Sequence, residues 1–174
     1  MIKEEFLSPD MADIEVFNQI RQEVTNLGFT IVAEDTARPW GGFFVLEEDQ
    51  LSEFRNVFFS ELTIDEFQKE QKLSPKILIV KPGKRLSWQY HHRRKEVWKL
   101  VAGNGAIIRS FTDEEGLQNE LVLNEMIALA QGERHRLIGL DKWGVVAEIW
   151  LHTDPSAPSD ESDIVRVQDD FARK

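Results

Sequence analysis

The sequence predicts an all-β fold, an antiparallel sandwich or barrel of the jelly-roll kind, on three grounds. From Lys76 onward, short apolar runs rich in Val, Ile, Leu and Trp follow one another. Glycine or polar turns interrupt them roughly every 8 to 12 residues, the spacing of consecutive short strands. No long helical period separates the runs, so antiparallel connections rather than βαβ units must bury them.

Ahead of the strands, residues 8–27 read as a helix. Ser8 can cap it, Pro9 suits a first turn, and Ile14, Phe17, Ile20, Val24 and Leu27 recur at helical spacing before Gly28. A second, short helix is expected from Thr63 to near Lys72, because Thr63 and Glu66 are spaced as a capping box. Strands are expected at Phe43–Leu46, Val57–Phe59, Lys76–Lys81, Leu86–Tyr90, Val97–Val101, Ala106–Phe111, Glu120–Leu123, Met126–Leu129, Arg136–Ile138 and Val145–Leu151. Residues 153–162 carry two prolines among small polar residues and read as a surface loop.

A chain of 174 residues suits one domain, with a helical extension over 1–35 and the barrel over 38–172. No stretch approaches the roughly 20 apolar residues a membrane span needs. Acids within Met1–Phe6 replace the basic start of a signal peptide, so a cytoplasmic protein is expected. The absence of cysteine excludes disulfides and thiolate metal sites, leaving His, carboxylate and amide oxygen as metal ligands. A net charge of −10 argues against nucleic acid as a partner. Between Lys81 and Lys99, however, seven basic residues face the single acid Glu96, a local field that suits a small anion and also reads as a solvated strand face.

The stretch from Gly83 to Gly103 is the most informative. Gln89 and His91 lie two apart, so on a strand their side chains leave the same face. Glu96 follows a turn through Arg93–Lys95, which would return its carboxylate beside them across a hairpin. His135, after the turn Ala130–Arg134, offers a second imidazole from a distant hairpin. One amide oxygen, one carboxylate and two imidazoles suit a divalent ion such as zinc, manganese, cobalt, iron or nickel. Taken one at a time, the same residues also read as exposed strand polars and hydrogen-bonded core histidines.

The spacing G-x5-Q-x-H-x4-E-x6-G over Gly83–Gly103 is similar to the first cupin motif, with glutamine in place of the more usual first histidine. More closely, the chain resembles the type II phosphomannose isomerase domain, the cupin at the carboxyl end of bifunctional mannose-1-phosphate guanylyltransferases. The blocks that carry the resemblance are Arg38-Pro-Trp-Gly41; Lys76 with Lys81-Pro-Gly83; Leu86-Ser87 with Gln89, His91, Arg94, Glu96 and Trp98; Asn124-Glu125 with Gly132 and His135-Arg-Leu137; and Glu161 with Asp163-Ile-Val-Arg166. They run from residue 38 to the end. Arg93 stands where the family usually has histidine, Trp88 where it has leucine and Ala130 where it has proline, and Pro155–Asp160 resembles an insertion.

The resemblance implies a cupin jelly-roll barrel with a metal site of Gln89, His91, Glu96 and His135, zinc being the first expectation. It implies aldose–ketose isomerisation of a sugar phosphate, mannose 6-phosphate and fructose 6-phosphate. Lys76, Arg166 and Glu148 are the candidate catalytic residues, and Arg38, Arg136 and Arg94 the candidate substrate-binding ones. Arg38 and Arg166 serve equally as structural ion pairs. His92 is a further candidate base, although alternation turns it away from His91. Three rivals stand beside this expectation: an isomerase or epimerase of another phosphorylated sugar, a non-catalytic sugar-binding cupin and an iron dioxygenase. Exposed strand edges also permit a homodimer.

Overall fold

A computed structural model describes residues 4–171. After a 3-10 turn at Glu4–Leu7, the helix α1 spans Asp13–Asn26. Strands β1 (Ile31–Arg38) and β2 (Gly41–Leu46) precede helices α2 (Leu51–Phe58) and α3 (Glu66–Lys69). Seven strands follow: β3 (Lys76–Val80), β4 (Trp88–Tyr90), β5 (Arg94–Ser110), β6 (Gln118–Glu120), β7 (Met126–Leu129), β8 (Arg134–His152) and β9 (Val165–Gln168). All pairings are antiparallel. One path runs β1-β2-β3-β8-β4-β9, while β5 joins β8 to β6 and β7. The all-β jelly-roll expectation holds, with a sheet that curls on itself and leaves β1, β6, β7 and β9 as edges rather than closing fully.

The long strands β5 and β8 fix this shape. Each was expected as two short strands, yet each runs on through its glycine-containing middle and serves both halves of the sheet. Register shifts at Leu100/Ala102 and Gly103/Gly105 bend β5 there. Gly103 has φ +68°, and a Cβ on it would meet the Trp143 carbonyl oxygen at 1.8 Å, so only glycine fits where the strands cross so closely.

Two cores lie on opposite faces of the same strands. Ile77, Ile79, Val145, Ala147 and Ile149 face outward onto the helices, with Phe17, Ile20 and Val24 of α1 and Phe54 of α2. Leu78, Val80 and Val146 face inward with Trp98, Leu100, Ile107 and Leu137. Burial on both faces explains why Lys76–Val80 and Val145–Leu151 read as nearly continuous apolar runs rather than as alternation. Phe17 meets Trp143 edge-on at 5.8 Å, so α1 packs as part of the outward core.

Several boundaries differ from the sequence reading. The first helix starts at Asp13, because Ser8 and Pro9 belong to a turn closed by the Met11 amide on the Ser8 carbonyl. Leu27 caps its end, and Gly28, with φ +93°, takes the conformation glycine allows. The run Val57–Phe59 ends the helix α2 instead of forming a strand, and the tilted rings of Phe54 and Phe58 lie 4.8 Å apart, one helical turn from each other. Helix α3 covers only Glu66–Lys69. The Glu66 side chain, and with it the capping box, lies outside the described residues. Strand β1 begins inside the segment expected to be helical, and its edge position leaves most of it solvated, so it shows no apolar alternation. Strand β6 lies earlier than expected, since the chain turns at Asn124 with φ +64°.

Candidate metal centre

Strand β4 does not pair with β5, so the expected hairpin between His91 and Glu96 is absent; β4 lies between β8 and β9, and β5 pairs with β7 and β8. The candidate ligands meet across the barrel instead. Gln89 stands directly opposite His135 in the β4–β8 register, and directly opposite Arg166 in the β4–β9 register. Glu96, near the start of β5, opposes Trp150. The donor atoms of His91, Glu96 and His135 all lie within 4.8 Å of one another, and all three side chains are buried. Gln89 shares their wall and accepts a hydrogen bond from Ser87 Oγ at 2.5 Å.

Both imidazoles are oriented by backbone carbonyls. His91 Nδ1 lies 2.5 Å from the Asp163 carbonyl oxygen, and His135 Nδ1 lies 3.0 Å from that of Glu133. A carbonyl only accepts, so each Nδ1 carries hydrogen and each ring turns its Nε2 inward. His91 Nε2 then sits 3.0 Å from Glu96 Oε1, and His135 Nε2 3.3 Å from Glu96 Oε2. Glu96 Oε2 and His135 Nε2 are buried without a hydrogen-bond partner among the described residues. Lone pairs that face a carboxylate at such distances repel unless a proton or cation lies between them. Burial opposes ionisation of Glu96, but its partners His91, Arg94 and His135 outweigh it and hold the carboxyl well below its ordinary range. An ionised acid and two inward imidazoles are the donor chemistry of zinc and its divalent neighbours, and these residues fit such an ion.

The second half of the site follows from register. Lys76, Glu148 and Trp98 stand in one row across β3, β8 and β5. Trp98 Nε1 donates to Glu148 Oε2 at 2.9 Å and Trp150 Nε1 to Oε1 at 3.0 Å. Burial, and then the nearby Glu96 carboxylate, push Glu148 up to about 7, against the pull of Lys76 and Arg94. Lys76 Nζ lies 3.9 Å over the Trp150 ring and pairs with Glu161 at 2.7 Å. Gln89, Glu96, Arg94, Lys76 and Glu148 open onto one cavity of about 110 Å³ that also has aromatic walls.

The other expected residues separate. Arg94 touches the ligands, donating from Nε to Glu96 Oε1 at 2.8 Å. Arg136 does not reach the site: strand alternation sends it to the face opposite His135, where it is fully buried and pairs with Glu115. Arg38 pairs with Asp35 at 2.7 Å and does not line the cavity. His92 points outward against Tyr90.

Several residues went unassigned in the sequence. Trp98 and Trp150 lie two positions beyond Glu96 and Glu148, and that period places them on the site face. Trp40 lines the cavity with a buried indole N–H that has no partner among the described residues. Asp163 supports the centre from behind: its carbonyl holds His91, and its carboxylate accepts from the amides of His92 and Arg93 and from Ser159 Oγ. No spacing rule links residues about seventy positions apart, so only the folded chain reveals this support.

Among solved structures, the fold is similar to the capsular polysaccharide assembling protein CapF from Staphylococcus aureus, with TM-score 0.51 at 19% identity over 77% of this chain and 31% of that one. It is also similar to a mutant of Bacillus subtilis oxalate decarboxylase OxdC, with TM-score 0.53 at 10% identity over 77% of this chain and 30% of that one. Among curated proteins, the xanthan biosynthesis protein XanB of Xanthomonas campestris pv. campestris (strain B100) is 33% identical over 63% of this chain and 22% of its own length. A mannose-1-phosphate guanylyltransferase of Klebsiella pneumoniae is 27% identical over 74% of this chain and 26% of its own. The chain thus spans about a quarter or less of the length of these relatives. The family profile described as mannose-6-phosphate isomerase C-terminal matches residues 47–169, and on that match the chain belongs to this family of cupin domains.

Proposed function

We propose that this protein is a metal-dependent aldose–ketose isomerase of a sugar phosphate, with mannose 6-phosphate and fructose 6-phosphate as the pair. The observation that carries the reading is the meeting of two unlike groups in one small cavity. One is a His91–Glu96–His135 cluster able to hold a divalent ion, which reaches the cavity through Glu96; the other is a buried carboxylate, Glu148, beside Lys76. Membership of the family supports the choice of substrate.

Isomerisation moves one proton between neighbouring carbons and a second between their oxygens. A base that titrates near neutrality can both take and return such a proton. Glu148, at about 7, meets that requirement, and the two indole N–H groups hold its carboxylate in place. Lys76 sets its amino group at the cavity wall, where it would oppose negative charge on the substrate. A bound divalent ion, held by Gln89, His91, Glu96 and His135, would supply Lewis acidity toward the sugar's carbonyl and hydroxyl oxygens.

The test is conversion of mannose 6-phosphate followed through a fructose 6-phosphate-specific coupled assay, with zinc, manganese, cobalt, ferrous iron or nickel added in turn. Turnover that needs metal and disappears in His91→Ala and Glu148→Gln is expected. A wild-type protein inactive with all five ions would refute the proposal.

A further inference from the structure

Arg94 makes a contact that the metal reading leaves unexplained. Its Nη2 lies 3.2 Å from His91 Nε2, and its Nε donates to Glu96 Oε1 at 2.8 Å. These two acceptors are also members of the proposed ligand set. With Nδ1 committed to the Asp163 carbonyl, the His91 ring has one lone pair left, and it can serve an N–H or a metal ion but not both. Arg94 is 5% exposed and its guanidinium is stacked on Trp150, with its carbon 3.8 Å from the ring centroid.

We propose that Arg94 is a built-in counter-cation that caps two metal ligands in the metal-free protein, so that taking up a divalent ion is an exchange of guanidinium for metal. Physical chemistry supplies the reason for the cap: a buried carboxylate such as Glu96 is costly without a partner charge, and Arg94 provides one when no ion is present. The cap is partial, since Glu96 Oε2 and His135 Nε2 make no hydrogen bond among the described residues. An incoming ion therefore has a landing place before the exchange is complete.

The guanidinium also has somewhere to remain. Its Nη1 donates outside the ligand set, to Ser159 Oγ at 2.9 Å and to the Asp160 carbonyl at 3.1 Å. It can stay anchored there while Nε and Nη2 turn away. The exchange thereby links the metal centre to the 153–163 segment, where Asp163 holds His91. The inference rests on the metal-centre reading and is independent of the isomerase assignment.

Calorimetric titration of zinc chloride into the chelator-stripped full chain, wild type against Arg94→Met, tests it. Methionine keeps much of the stem that packs on Trp150 and removes the competing donors. Zinc is expected to bind Arg94→Met more tightly by about ten-fold or more, the worth of the charge-assisted hydrogen bonds the ion no longer displaces. Arg94→Lys, which cannot hold both acceptors in the same fork, should fall between and covers the case in which the methionine variant does not fold. In wild type, zinc should change the Trp150 emission, identified by its loss in Trp150→Phe, and Arg94→Met should abolish that change. Equal or weaker zinc binding by the variants overturns the exchange while leaving the metal centre standing. Absence of zinc binding in every protein overturns both.

Discussion

Replacement of Glu148 by glutamine isolates the electrostatic core of the site. The carboxyl is buried and stands at about 7 against an ordinary 4.5, mainly through loss of hydration and secondly through Glu96. Between these two values the folded protein keeps a proton that the unfolded chain releases. The favourable contribution is therefore complete below pH 4.5 and is lost as pH rises through about 7. At about 1.4 kcal/mol per pH unit, the loss over that window is about 3 kcal/mol in the metal-free protein.

Glu148→Gln has no proton to lose. Its amide oxygen can accept from one of the two indoles, which leaves the other N–H facing an NH2 group, a cost of about 1–3 kcal/mol at every pH. Wild type should thus be the more stable protein at pH 4.5, and its advantage should shrink by about 3 kcal/mol by pH 8. Guanidinium denaturation of chelator-treated protein, followed by far-UV circular dichroism across that range, reads the difference directly. Parallel stability curves would refute the assignment of a raised pKa to Glu148. With zinc bound, the added positive charge should move the window to lower pH.

Three other outcomes follow from the same geometry. Zinc at one hundred times its dissociation constant should stabilise wild type by about 2.7 kcal/mol, and thermal unfolding should show no such gain for His91→Ala or His135→Ala. Asp163→Ala removes the acceptor of three hydrogen bonds, two of them from backbone amides; a stability loss of about 2–4 kcal/mol and a 10- to 100-fold weaker zinc affinity are expected, measured by denaturation and calorimetry. Gly103→Ala drives a Cβ into the Trp143 carbonyl at a positive φ, and a loss of at least about 2 kcal/mol in chemical denaturation is expected.

Much of the candidate site was legible because its candidate ligands are local in the chain or carry unusual chemistry. Gln89, His91 and Glu96 fall within eight residues, and a cysteine-free chain with four histidines offers few other ligand sets. The arginines were legible only as residue types. Arg94, Arg136 and Arg38 offer the same guanidinium, yet one touches the ligands, one lies buried on the opposite face and one pairs with Asp35 near the surface. Helix α2 was misread because a three-residue apolar run has no resolvable period, and β1 because an edge strand needs no apolar face.

The sequence alone determined the strand-rich composition, the absence of thiolate chemistry and the chemical types of the candidate ligands, since these depend on composition and on spacings of a few residues. Only the tertiary structure decided that β4 and β5 lie apart, that Glu148 sits between two indoles and beside Lys76, and that Arg94 rests on His91 and Glu96. Those facts arise from strand register and from contacts between distant segments. Register is fixed by the packing of two cores on opposite faces of one sheet, a collective property that no local window of residues contains.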